Sequence, residues 1–148
     1  MRKIDRLVIH GSWTPEEMDI GAAEIRRWHT VDNGWRDIGY HGVIRRDGMY
    51  EDGRPEKYKG AHAGRYNSGS MGVCLIGGKL GDGWENNYTE EQFMTLKGVV
   101  NWWAAVYSIP MDRVVGHCDL PGVSKLCPGF SVKKWIAAGM PTNHTGQS

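Results

Sequence analysis

Apolar residues in this chain come in short runs of strand length, and these runs alternate with patterns at helical spacing. Leu7-Val8-Ile9-His10 is apolar up to its histidine, and Gly11-Ser12-Trp13-Thr14-Pro15 breaks it. Met71 to Ile76 is a second run, closed by Gly77-Gly78, and Arg113 to Gly116 is a short third that leads into His117. Runs of this length between turn residues read as buried strands. His41 to Arg46 and Met49 to Glu51 flank Arg46-Asp47-Gly48, a hairpin signal. Ala22 to about Val31 is helical in spacing, with Ile25 and Trp28 on one face and Arg26 and Arg27 on the other. Thr89-Glu90-Glu91-Gln92 forms a capping box ahead of Phe93, Leu96, Val100, Trp103 and Tyr107, and Pro110 marks the stop. A last helix over 131–138 carries Val132, Trp135 and Ile136. Strands alternating with helices predict one α/β domain, a sheet with helices packed on it. Residues 52–70 and 79–88 are Gly-rich and read as connections, the first long enough to expect a function of it.

Charge narrows the function classes. Lys plus Arg number 18 and Asp plus Glu 17, a net charge of +1. A protein that coats nucleic acid or an anionic membrane relies on a clear cationic surplus, so neither is an expected partner. No apolar stretch approaches the roughly 18 residues needed to span a bilayer, and Leu7-Val8-Ile9 is too short for a signal-peptide core. A cytoplasmic chain with no stable membrane insertion is expected. Three cysteines cannot all pair within the chain, which directs attention to other uses for one of them.

Three residues share a position in this scheme. His10 ends the first strand, His117 follows a later one, and Cys127 lies ten residues on, before the last helix. Strand ends of α/β sheets concentrate binding sites. Two imidazoles and a thiolate suit zinc, and three protein ligands leave a fourth tetrahedral position open. Spacing alone leaves the alternative open, with His10 a core histidine bonded to backbone and Cys127 a small buried hydrophobe.

The ordered segments go further. Leu7-Val8-Ile9-His10-Gly11-Ser12, Gly39-Tyr40-His41-Gly42-Val43-Ile44-Arg45-Arg46-Asp47-Gly48, Gly60-Ala61-His62-Ala63, residues 66–78, Gly116-His117 and Ser124-Lys125-Leu126-Cys127-Pro128-Gly129-Phe130 run across nearly the whole chain. In them the chain resembles the zinc-dependent N-acetylmuramoyl-L-alanine amidases of the bacteriophage T7 lysozyme type, which share a fold with the peptidoglycan recognition proteins. The resemblance implies a single α/β domain over residues 1–140, with a central mixed β-sheet flanked by helices, a zinc site at one edge of the sheet, and a polar tail over 141–148. It implies one zinc ion per chain, held by His10, His117 and Cys127, with Tyr40 and Lys125 catalytic and His62 lining the substrate groove.

The implied substrate is peptidoglycan, cut at the amide between N-acetylmuramic acid and L-alanine. Zinc would supply Lewis acidity, Lys125 a fixed positive charge for the developing oxyanion, and Tyr40 a hydrogen bond or an oriented water. Tyr40, Lys125 and His62 all stand as candidates to protonate the departing amine. Some relatives place a glutamate general base near Ile76, and the apolar residue here puts the weight on zinc, Tyr40 and Lys125. Cys74 and Cys118 are expected to be ordinary thiols, His41 to point away from Tyr40, and Trp13 to line the groove or the core. His29 and His144 have no supporting context. The expected setting is a monomeric phage or prophage endolysin, made in the cytoplasm and reaching the wall once the membrane is breached. A muropeptide-recycling amidase, a non-catalytic wall-binding module and an added regulatory protein partner are the alternatives.

Overall fold

Strand β1, Arg6–Gly11, is an interior strand of the sheet because both of its faces are apolar. A computed structural model describes residues 2–143 of the chain. Residues 144–148, with His144 and most of the expected tail, lie outside the described residues. The other main strands are β3 (Gly42–Ile44), β4 (Tyr50–Asp52), β5 (Ser70–Leu75) and β8 (Val114–Gly116). They form a five-stranded sheet in the order β4-β3-β5-β1-β8. Pairing is parallel throughout except at the β3–β4 hairpin, so the sheet is mixed as expected.

Strand alternation divides this sheet into two different faces. Leu7, Ile9, Ile44, Met71, Val73, Leu75 and Val114 form one core with the helices. Helix α2, Glu90–Tyr107, supplies Phe93, Leu96, Val100 and Trp103, and helix α3, Val132–Ala137, adds Val132 and Trp135. Val8, His10, Val43 and Cys74 alternate to the opposite face. There helix α1, Ala22–Arg27, buries Ala22 and Ile25 against Ile38, Val43, Cys74 and Ile76.

Helix α2 begins as its capping box predicts. Thr89 Oγ1 accepts the Gln92 N–H at 3.1 Å, and Gln92 Oε1 accepts the Thr89 N–H at 2.9 Å. Gln92 is fully buried because its Nε2 also donates to the carbonyls of Ile44 and Ile76, tying the helix to the sheet. Thr89→Ala removes the cap and the hydroxyl bond to the Arg46 carbonyl. An expected cost of about 1–2 kcal/mol is measurable by denaturant unfolding, with hydrolysis by the folded protein unchanged.

Two expectations are corrected. Helix α1 ends at Arg27, and a π-turn over Trp28–Asp32 replaces its last turn. The wider turn shifts the phase of the face, so Ile25 is buried while Trp28 is exposed. Residues 79–88 are more than a connection. Strands β6 (Gly78–Leu80) and β7 (Gly83–Trp84) form a small hairpin around Gly81-Asp82, with Gly81 at φ +58°. With β2, Thr14–Pro15, they make a second sheet in the order β2-β6-β7. Among the described residues no helix is long and apolar enough to cross a membrane.

Candidate active site and metal centre

The sheet face away from α2 carries the site, and small side chains make room for it. His10 points to this face near the end of β1, beside Cys74 of β5 in register. His117 follows β8, the edge strand, and opens a 3-10 turn, His117–Asp119. That turn is pinned by the Gly116 N–H to Asp119 Oδ2 at 2.9 Å. Cys127 arrives from a loop held to the turn by the Cys118 N–H bond to the Cys127 carbonyl at 2.8 Å.

One donor atom from each of His10, His117 and Cys127 lies within 4.8 Å of the others. His10 Nδ1 is 3.9 Å from Cys127 Sγ, and the His10 and His117 ring centroids are 4.7 Å apart. The Gly11 N–H points at Cys127 Sγ at 3.3 Å, a donor suited to a thiolate. Burial holds the His10 and His117 rings well toward neutral, and the Lys125 ammonium acts on both in the same direction. Neutral imidazole is the ligating form. Burial pushes the Cys127 thiol up to about 12, with the Gly11 N–H and Lys125 opposing it. A thiolate here needs a cation beside it, and a bound metal ion supplies one. The donor set, its closeness and its neutral imidazoles fit zinc. Cys118 stands outside the cluster, its thiol facing Asp119.

A cavity of about 460 Å³ opens over these donors. Tyr40, Lys125 and His62, the other sequence-predicted residues, also line it. The Tyr40 ring centroid is 5.1 Å from that of His10. Burial raises the phenol well above its usual range, with the nearby Cys74 and Cys127 sulfurs adding to the shift, so Tyr40 keeps its proton and can act as a donor. Lys125 is exposed at the rim, and its charge acts on His10, His117 and Cys127 alike.

His62 is only 9% exposed and both its ring nitrogens are engaged within the protein. Burial, with cationic neighbours, lowers it to about 3. His41 faces away from Tyr40 as expected. Its Nδ1 accepts the Gly72 N–H at 3.0 Å, its Nε2 meets the Tyr58 carbonyl at 2.9 Å, and burial lowers it to about 4.

Four further residues complete the site. His29 accepts the Gly39 N–H at 2.9 Å, and its ring packs 5.5 Å from Tyr40 and 4.6 Å from Trp35. A lone histidine on a helical segment gave no signal of this. Cys74, expected to be core filler, is fully buried with Val43 and Ile76, and Tyr40 packs against that cluster. Trp35 and Trp84 are the indoles of the cavity wall. A Cβ at Gly11, Gly78 or Gly129 would approach the Trp84 side chain to 2.9, 3.0 or 3.2 Å, so three separate glycines admit that ring. Trp13 stacks on Trp84 at 6.2 Å, with Lys79 over its other neighbourhood at 4.3 Å, and is partly exposed beside the groove. Ile76 is fully buried.

The N-acetylmuramoyl-L-alanine amidase family model, Amidase_2, matches residues 1–130. The endolysin of Enterobacteria phage K11 is 40% identical over 139 residues, covering 93% of this chain and 89% of that protein. The endolysin of Escherichia phage T7 is 39% identical over 132 residues, covering 88% of this chain and 84% of that protein. Among solved structures, the N-acetylmuramoyl-L-alanine amidase LysC from Clostridium intestinale URNW is similar with a TM-score of 0.75 at 25% identity, covering 92% of this chain and 87% of that one.

Proposed function

We infer that the chain, which belongs to the N-acetylmuramoyl-L-alanine amidase family, hydrolyses the amide between N-acetylmuramic acid and L-alanine in peptidoglycan with one zinc ion held by His10, His117 and Cys127. The observation that carries this reading is the mutual approach of three ligating side chains on the floor of a cavity that also holds Tyr40 and Lys125. Zinc, when bound, polarises the scissile carbonyl and acidifies a water.

The chain's own residues do the rest. Lys125 places a fixed positive charge where the tetrahedral oxyanion develops. Tyr40, keeping its proton, donates a hydrogen bond into the same region, and its packing on His29 and on the cluster of Val43, Cys74 and Ile76 orients it. Trp35 and Trp84 wall the groove and keep water from the substrate's flanks. With Ile76 apolar, no carboxylate at that strand end takes part. Residues 1–140 make up the amidase domain. The physiological role is that of a phage or prophage endolysin, acting on the wall as a monomer from the cytoplasmic side once the membrane is breached.

A chelator is expected to abolish hydrolysis of purified peptidoglycan, and one equivalent of zinc to restore it. Activity that survives complete metal removal contradicts the reading. Tyr40→Phe is expected to lower kcat by about 10- to 100-fold, the worth of one hydrogen bond to a charged group, with zinc content unchanged. Undiminished kcat in that variant would remove Tyr40 from the mechanism.

A further inference from the structure

We propose that His62, with Ser70 and the Tyr66 carbonyl behind it, is a positioning residue that fixes the tautomer of His10 and so presents Nδ1 of His10 to the metal. The inference rests on the zinc reading above and deepens it. It assigns His62 an inward role in place of direct recognition of substrate.

The chain of contacts has one polarity. The Tyr66 carbonyl can only accept, so the Ser70 hydroxyl donates to it, at 2.8 Å. Ser70 Oγ then has lone pairs for His62 Nε2, at 3.3 Å, and that nitrogen carries the hydrogen. A neutral imidazole has one donor and one acceptor nitrogen. With Nε2 as the donor, His62 Nδ1 is the acceptor, and it lies 2.8 Å from His10 Nε2. His10 is therefore the Nε2–H tautomer, and its Nδ1 lone pair is free. That nitrogen is the one that faces Cys127 Sγ, at 3.9 Å. A carbonyl two links away thus sets which nitrogen of a candidate ligand is available.

The surroundings are built to hold the ring. Asn67 Oδ1 accepts the N–H groups of His62 and Ala63, at 3.0 and 2.7 Å, and fixes the backbone at this point. Gly72 of β5 lies beneath the ring, and a Cβ there would come within 2.7 Å of it. The His10 and His62 ring planes cross at 88° with centroids 4.9 Å apart, a separation that fits two rings joined nitrogen to nitrogen at 2.8 Å. Both His62 nitrogens are consumed by these contacts, so the ring meets the cavity through carbon. Partners of this kind, which orient a metal-bound histidine through its second nitrogen, are typically worth about 10–100-fold in metal affinity.

The test reads metal binding and tautomer, not hydrolysis. In metal-free wild-type protein, nitrogen-detected NMR is expected to show His10 protonated at Nε2 and bare at Nδ1. In His62→Phe, which removes the acceptor and keeps a flat ring, the zinc dissociation constant measured against a chromophoric chelator is expected to rise about 10–100-fold. The His10 tautomers become mixed. His62→Gln offers an amide oxygen to His10 and an amide N–H to Ser70, and is expected to recover most of the affinity. Ser70→Ala removes the outer link and gives a smaller loss in the same direction. A wild-type His10 protonated at Nδ1 overturns the proposal without any variant, as does a His62→Phe protein that binds zinc as tightly as wild type. Wild-type protein that binds no zinc overturns the zinc reading itself, which is a distinguishable result.

Discussion

Cys127→Ser is expected to weaken zinc binding by about 10²–10³-fold and to reduce peptidoglycan hydrolysis to background. A loss of about 3–4 kcal/mol on replacing one soft thiolate by a hydroxyl corresponds to that fold-change. The serine fits because the buried Cys127 sulfur meets the Gly11 N–H and the Gly11 carbonyl, and a hydroxyl can accept from the first and donate to the second. The metal-free variant is therefore expected to unfold at the same denaturant concentration as metal-free wild type. Competition against a chelator measures the affinity. Full-strength zinc binding by the variant would mean that the third ligand is another group, with neighbouring Cys118 the first to examine.

Lys125→Ala has the next largest expected effect, and it separates chemistry from metal holding. Removing one stabiliser of a developing oxyanion costs about 10²–10³-fold in kcat. The ammonium is exposed and lines the same cavity as His10, His117 and Cys127, the position the proposed role requires. Zinc content is expected to be unchanged. Lys125→Arg keeps the charge with a different geometry and should recover part of the rate. Loss of metal in the alanine variant, with the rate per bound zinc preserved, would make Lys125 part of the scaffold.

The main sheet was legible because burial and sequence agree there. Strands β1, β5 and β8 are apolar on one or both faces, and continuous runs announce such strands. The capping box of α2 was legible for a different reason: Thr89 and Gln92 act locally, through backbone groups three residues apart. Strands β6 and β7 were not, since elements of two or three residues are too short to show a period, and they exist because β2 pairs with β6. The π-turn after α1 breaks the helical phase without any Pro or Gly to mark it, which is why Trp28 was placed on the wrong face.

The site divides in the same way. His10, His117, Cys127, Tyr40 and Lys125 stood out through their motif context, and the fold brings all five to one cavity. His29 and Trp84 reach that cavity only through tertiary packing, and no local pattern marks either. His62 was legible as a site residue but its surroundings were not. Its two partners, His10 and Ser70, are 52 and 8 residues away in sequence, and they meet its ring from two different strands, β1 and β5.

The central claim is tested most directly by the new chain ends in a peptidoglycan digest. Purified protein loaded with zinc is incubated with cell walls, and free amino termini and reducing sugar ends are quantified separately. The account predicts newly exposed N-terminal L-alanine in proportion to lysis, no increase in reducing ends, and neither product after zinc removal. Reducing ends released without N-terminal alanine, or alanine released equally by the metal-free protein, would contradict it.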